Sequence, residues 1–316
     1  MIGDSRCTGS AATVAALLCC AVCVTLAAAQ PATQNNRKGR GRMTVPDSVE
    51  ARTGVVYGTG GGRDLKLDLY LPRNTEASRP AVVFIHGGGW KNGGPGQFRP
   101  QSLNLAACGY VCACIEYRLS GEAKFPAALE DAKCAVRWMR ASAAELEVDP
   151  SRIAVSGGSA GAHLAVMIAT TRLGLYEGAG GHAEQSSRAN LCIAFNPVLD
   201  LAGMARDRHG LPMLEAFLGR TYGEAPELYA QASPITHASK DDPPILILHG
   251  TEDTTVPYGQ AVAMIGKLTE LGVQAELYTA EGAAHAFFNR PPWYQPTVEA
   301  MTEFLDRHFR PAPEGQ

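Results

Sequence analysis

The segment Gly157-Gly-Ser-Ala-Gly161 places a serine in a G-x-S-x-G pattern. An apolar run at residues 153–155 precedes it, and a helical pattern over residues 160–171 follows. A serine on a strand-to-helix turn stands above the end of its strand, with a helix N-terminus behind it. There backbone N–H groups favour developing negative charge. Flanking glycines let so tight a turn pass without Cβ clashes. Ser159 is therefore the candidate nucleophile. A second segment, His86-Gly-Gly-Gly-Trp90, directly follows the apolar run 81–85. Consecutive glycines leave N–H groups unobstructed, and acyl transfer needs such donors where its oxyanion forms. The expected donors are the N–H groups of Gly88, Gly89 and Ala160, with Gly87 as the alternative to one of them. Trp90 either offers an aromatic wall to a substrate or packs into the core.

A serine hydroxyl is a weak nucleophile until an oriented base takes its proton. Eight histidines compete for that role. His86 and His249 precede strand-end glycines and read as loop organisers. His163 lies one turn into the helix after Ser159, where packing is its expected role. His182, His209 and His237 fall in loop or insertion segments, and His308 sits on the last helix. His285 lies in Gly282-Ala-Ala-His-Ala-Phe-Phe288, between the strand pattern 274–278 and the final helix. That is the carboxyl edge of a parallel sheet, where such folds place their sites. His285 is the candidate base. For the acid, Asp253 lies in the loop His249-Gly-Thr-Glu-Asp-Thr-Thr-Val-Pro257 after the apolar run 245–248. Glu252 is its neighbouring competitor and Asp200 a more remote one. The order Ser159…Asp253…His285 is that of the α/β-hydrolase fold.

The elements that must position these residues are legible as an alternation. Residues 55–57 and 65–71 read as a leading antiparallel pair, the second with Leu at every other position. Strands are expected at 81–85, 110–117, 153–155, 191–195, 245–248 and 274–278. Helices are expected at 125–141, 160–171, 259–271 and 296–309. Strands apolar along their whole length are buried on both faces, so the expected fold class is α/β: a mostly parallel central sheet flanked by helices. Residues 200–244 interrupt the rhythm, with one short helical stretch at 213–218, as a small cap insertion does. The expected catalytic domain runs from 51 to 312. The chain has 316 residues, 46% hydrophobic and 19% charged, with a net charge of −3. That composition excludes a disordered chain, and the near-neutral balance gives no footprint for nucleic acid.

Residues 11–29 carry no charge and end in Ala27-Ala-Ala29, which reads as a secretory signal peptide over residues 1–29. The alternative is an uncleaved membrane anchor. The expected location is therefore secreted or periplasmic, and residues 30–50 read as a basic, polar linker. Of nine cysteines, five lie beyond this region: Cys108, Cys112, Cys114, Cys134 and Cys192. Cys112 and Cys114 alternate along one strand and read as small core residues facing one side. A single bridge such as Cys108–Cys134 is one pairing open to an odd set. No Cys/His spacing suggests a metal.

From about residue 53 to 310 the chain resembles the α/β-hydrolase esterases with an HGGG-type oxyanion loop, of the hormone-sensitive-lipase-like kind. It is similar above all to secreted bacterial carbohydrate esterases of the bifunctional acetylxylan/feruloyl type. The matching segments are His86–Trp90, Glu116-Tyr-Arg-Leu119, residues 125–138, Gly157–Gly161, His249–Pro257 and His285. The resemblance implies a serine ester hydrolase without metal or organic cofactor, acting on a small-molecule or polysaccharide ester. It implies no obligate protein partner. The resemblance, together with the little broad apolar surface that residues 200–244 offer a long chain, implies short acyl groups. Other readings are a prolyl-oligopeptidase-like peptidase, an arylformamidase, or a non-catalytic binding protein of the same fold.

Overall fold

The computed structural model describes residues 44–73 and 78–310, together with a two-residue strand, β1 (Leu26–Ala27). Apart from that strand, the expected signal peptide and most of the expected linker lie outside the described residues. The linker's last two residues, Val49 and Glu50, belong to the next strand.

The chain builds one nine-stranded sheet. In chain order its further strands are β2 (Val49–Gly60), β3 (Arg63–Pro72), β4 (Arg79–Ile85), β5 (Val111–Ile115), β6 (Val148–Gly158), β7 (Leu191–Phe195), β8 (Ile245–Gly250) and β9 (Ala275–Ala280). Their spatial order is β1-β9-β8-β7-β6-β4-β5-β3-β2. The pairs β2–β3 and β3–β5 are antiparallel, and all others run parallel. This is the mostly parallel α/β-hydrolase arrangement that the sequence predicts. Edge strand β2 extends well beyond the expected 55–57, with register shifts between Arg52 and Val55 and between Val56 and Gly58.

The period of two along each strand divides the apolar residues between two layers. Ala81, Val83 and Ile85 of β4 join Val111, Ala113 and Ile115 of β5 in one cluster. It is covered by α2 (Ala127–Ala141), α3 (Ala160–Thr170) and α8 (Gly259–Glu270). Val82 and Phe84 join Cys112 and Cys114 on the other face. There α1 (Arg99–Ala107) and α9 (Tyr294–Phe309) close the core. Helix α1 is absent from the sequence expectations. Its Leu103, Leu105 and Ala106 make no clean helical stripe, and Gln101 and Ser102 are buried beside them. All five described cysteines are free thiols. The bridge Cys108–Cys134 is not formed: Cys108 is exposed, whereas Cys134 is buried against the carbonyls of Tyr57 and Gly181.

Between β7 and β8 the inserted segment carries four short helices rather than one: α4 (Leu201–Arg206), α5 (Leu211–Leu218), α6 (Pro226–Gln231) and α7 (Pro234–His237). Leu214 and Phe217 of α5 and Tyr229 of α6 anchor it to the first layer. Among the described residues no helix is long and apolar enough to cross a membrane.

Candidate active site

Strand β6 ends at Gly158 and α3 begins at Ala160, so Ser159 alone makes the turn. Its φ of 54° and ψ of −119° lie where a side chain is rarely tolerated. Such strain persists only where surrounding structure fixes it. Here the Ser159 N–H donates to the Phe195 carbonyl at 2.8 Å, and its own carbonyl accepts from His163 N–H at 2.9 Å. The glycine that follows lets α3 press onto the end of β4. A Cβ at Gly161 would stand 2.0 Å from the Ile85 carbonyl oxygen and 2.5 Å from that of His86. The Ser159 hydroxyl does not cap its own helix.

That hydroxyl instead meets His285, with Nε2 2.9 Å from Oγ, while Nδ1 of the same ring lies 2.7 Å from Asp253 Oδ2. A carboxylate only accepts, so Nδ1 carries the proton and Nε2 is left to accept from the serine. Asp253 is buried at the start of the strand–helix loop. Its Oδ1 takes the N–H groups of Thr255 and Val256, each at 2.9 Å. Burial alone raises a carboxyl pKa. Here the hydrogen bonds from His249, His285 and Val256 outweigh burial and hold Asp253 well below the usual carboxylate range. Across the site, Asn196 after β7 accepts the Ala286 N–H at 3.2 Å, pinning the loop beside His285.

The competing carboxylates lie elsewhere. Glu252 is exposed, and its backbone N–H ties the two loops by donating to the Ala283 carbonyl at 3.1 Å. Asp200 caps α4, accepting the Gly203 N–H at 2.7 Å. Five other histidines are turned to carbonyls: His86 to Gly87, His163 to Ala232, His209 to Thr255, His237 to Gln231 and His308 to Phe304. His249 does the same with Val256, and it also approaches Asp253, a contact the sequence reading missed.

In the glycine-rich loop after β4, the Gly87 N–H is taken by the Gln97 side chain. Gly88 has φ 114°, and a Cβ there would meet the Asn92 carbonyl oxygen at 2.1 Å. Its own carbonyl accepts from the N–H groups of Lys91 and Asn92, closing a turn. Among the described residues no acceptor takes the N–H of Gly88 or Gly89. Ala160 is the first residue of α3, where no intrahelical carbonyl can reach its N–H. Gly87 is therefore not a free donor, and the expected set of Gly88, Gly89 and Ala160 is the one left open. Met213 of α5 lies against Gly89, its sulfur 3.0 Å from where a Cβ would be.

Trp90 is not a substrate wall. Its side chain is wholly buried, so no ring face is open to a ligand. One face stacks on Phe217 of α5, centroids 4.2 Å apart, and its Nε1–H donates to His163 Nδ1 at 3.2 Å. His163 in turn donates from Nε2 to the Ala232 carbonyl at 2.7 Å. Trp90 thus ties the glycine loop to the inserted segment. Among the described residues there is no group of three or more His, Cys, Asp or Glu side chains that could hold a metal ion.

Known proteins carry the same architecture. Esterase LipQ of Mycobacterium tuberculosis is 31% identical over 79% of this chain, which spans 61% of LipQ. The chain covers about half to three-fifths of the length of the curated relatives it matches first. Est2, an esterase of Thermogutta terrifontis solved with butyrate bound, is 37% identical. It superposes with a TM-score of 0.73 over 85% of this chain and 97% of its own. A truncated carbohydrate esterase from gut microbiota is 26% identical, with a TM-score of 0.70 over 82% of this chain and 98% of its own. The BD-FAE family model matches residues 67–268, the stretch that holds both glycine-rich turns and Asp253, and the chain belongs to the BD-FAE family.

Proposed function

We propose that the protein is a carboxylic-ester hydrolase that works through an acyl-enzyme, with Ser159 as nucleophile, His285 as base and Asp253 as its orienting acid. The observation that carries this reading is the continuous chain Ser159 Oγ–His285 Nε2 at 2.9 Å and His285 Nδ1–Asp253 Oδ2 at 2.7 Å. As Oγ bonds to the ester carbonyl carbon, its proton passes to His285 Nε2. The carbonyl π pair moves onto oxygen, where the N–H groups of Gly88, Gly89 and Ala160 receive it. Collapse breaks the bond to the alcohol, which leaves with the proton held by His285. A water molecule, deprotonated by the same nitrogen, attacks the acyl-enzyme and releases the acid, restoring Ser159. Asp253, held by donors on both oxygens, fixes the tautomer and stabilises the imidazolium.

The proposed substrates are esters of short acyl groups, including acetylated or feruloylated carbohydrate. The T. terrifontis esterase holds propionate or butyrate, and another similar structure is that of a carbohydrate esterase. Met213 against the glycine loop narrows the room beside the expected oxyanion site.

The test pairs substrates with variants. Nitrophenyl acetate and butyrate should turn over faster than the decanoate, and acetylated xylan and methyl ferulate should be hydrolysed. Ser159→Ala should lose activity by on the order of 10⁴-fold or more and escape fluorophosphonate labelling while remaining folded. Asp253→Asn should lose far more than Glu252→Gln. A folded Ser159→Ala variant that keeps a tenth of the activity would overturn the assignment. Preference for decanoyl esters would overturn the short-acyl reading alone.

A further inference from the structure

We propose that His249 is a positioning residue for Asp253, a second histidine that holds the orienting carboxylate at the same oxygen His285 uses. This inference rests on the role proposed for Asp253. His249 is the penultimate residue of β8, paired in register with Thr279 of β9, and its side chain is fully buried. Its Nε2 lies 3.0 Å from the Val256 carbonyl oxygen and 3.3 Å from Asp253 Oδ2. Both partners only accept, so Nε2 carries the proton; it donates to the Val256 carbonyl, with the Asp253 carboxylate oxygen lying close beside it. Among the described residues Nδ1 of the ring has no hydrogen-bond partner, and the ring makes a T-shaped contact with Tyr258. Among the described residues, the only polar contacts of this buried ring are therefore with the loop that carries Asp253.

The consequence is rotational. A carboxylate turns easily about its last torsion, which is broad and two-fold. Two backbone donors hold Oδ1. Without His249, Oδ2 would depend on the very imidazole it has to orient. With His249, that oxygen is fixed from the sheet, independently of the base. The same N–H grips the Val256 carbonyl, while the Val256 N–H grips Oδ1, so loop 253–256 is closed onto β8 at both ends. The next residue serves the partner loop: a Cβ at Gly250 would fall 2.1 Å from the Ala283 carbonyl oxygen, two residues before His285. The dipeptide His249-Gly250 thus sets the approach of both loops.

The experiment measures kcat and KM for nitrophenyl acetate, per fluorophosphonate-titrated site. In His249→Phe the volume stays and the N–H goes, so kcat should fall roughly ten- to a hundredfold with little change in KM. His249→Gln, whose amide N–H can reach the same acceptors, should recover most of that loss. In an Asp253→Asn background His249→Phe should add almost nothing, because the two then act as one unit. Should His249→Phe fail to fold, His249→Asn, too short to span the gap, replaces it in the same comparison with His249→Gln. An active wild type, dead as Ser159→Ala but indifferent to His249→Phe, overturns the inference and leaves the proposed function standing. A full additive loss in the Asp253→Asn background also overturns it, since His249 would then serve the fold and not the carboxylate. A wild type without serine-dependent ester hydrolysis overturns the functional reading itself.

Discussion

The two glycine-rich turns at the carboxyl edge of the sheet have neighbouring tasks and are held by different means. In the turn 157–161 the backbone is itself the packing surface. A Cβ on Gly161 would collide with the Ile85 carbonyl, and one on Gly157 would stand 2.5 Å from the Gly161 backbone. In the loop 86–90, side chains from distant parts of the chain hold the glycines in place. Gln97 takes the Gly87 N–H, Tyr117 stacks on His86 and donates to its carbonyl, and His163 and Phe217 grip Trp90. The first geometry is a property of a few adjacent residues meeting one strand end. The second is distributed, and part of it runs through the inserted segment. Damage to the first should be abrupt, and damage to the second graded.

Between the two turns, and Ser159 itself apart, the largest loss of activity is therefore expected at Gly161→Ala. The colliding atoms are backbone carbonyls in the centre of the sheet, which cannot swing away as a side chain could. Overpacking of this kind typically costs about 1–3 kcal/mol and sometimes more, and a displacement of about 1 Å at the nucleophile costs on the order of a hundredfold. Thermal denaturation and kcat/KM for nitrophenyl acetate measure both. A variant with wild-type activity would mean that the elbow is not set by this contact.

Trp90→Ala should come next. Removing a buried aromatic ring costs about 3–5 kcal/mol, and activity should fall about tenfold as the glycine loop loses its anchor. Trp90→Phe keeps a smaller ring for Phe217 and removes the pyrrole edge with its N–H, leaving His163 Nδ1 buried without a donor at a cost of about 1–3 kcal/mol. The loss of activity should be the same for nitrophenyl acetate as for methyl ferulate. A loss confined to the bulkier ester would restore Trp90 to the substrate wall.

The same contrast explains what was legible in the sequence. The glycine spacing around Ser159 records a local collision, so sequence carries it in full. The parallel core strands were legible because apolar residues fill both faces of β4, β7 and β8. Asp253 and His285 were legible from strand ends, since the hydrogen bonds joining them follow once those ends are adjacent. Trp90 was not, because which way a ring leaves a loop depends on Phe217, 127 positions away. The second role of His249 was hidden in a loop that closes back on its own strand. Edge strand β2 is longer than its pattern suggests because most of its residues beyond 55–57 are half-buried or exposed and need no apolar alternation. Helices α4, α6 and α7 are too short to display a period at all.

The smallest effect on activity is expected at His163, where the distributed side of the comparison is tested through stability in acid. That ring is fully buried between Trp90 and the Ala232 carbonyl, one nitrogen accepting and the other donating, which only the neutral form can do. Burial pushes its pKa down from 6.5 to about 4. The unfolded chain then binds a proton that the folded chain refuses between those two values. Stability from this group is full above pH 6.5 and falls as pH drops towards about 4, by about 3 kcal/mol in all. Burial lowers His86 in the same direction, whereas Asp253 contributes its loss only below the ordinary carboxylate range. Comparison of variants therefore isolates His163. His163→Asn should be less stable than wild type at pH 7, yet lose less on going to pH 4, when both are unfolded in urea across that range. Parallel curves for the two proteins would mean that the Trp90–His163 contact is made as readily by the protonated ring, and the glycine loop would then be tied to the inserted segment through Phe217 alone.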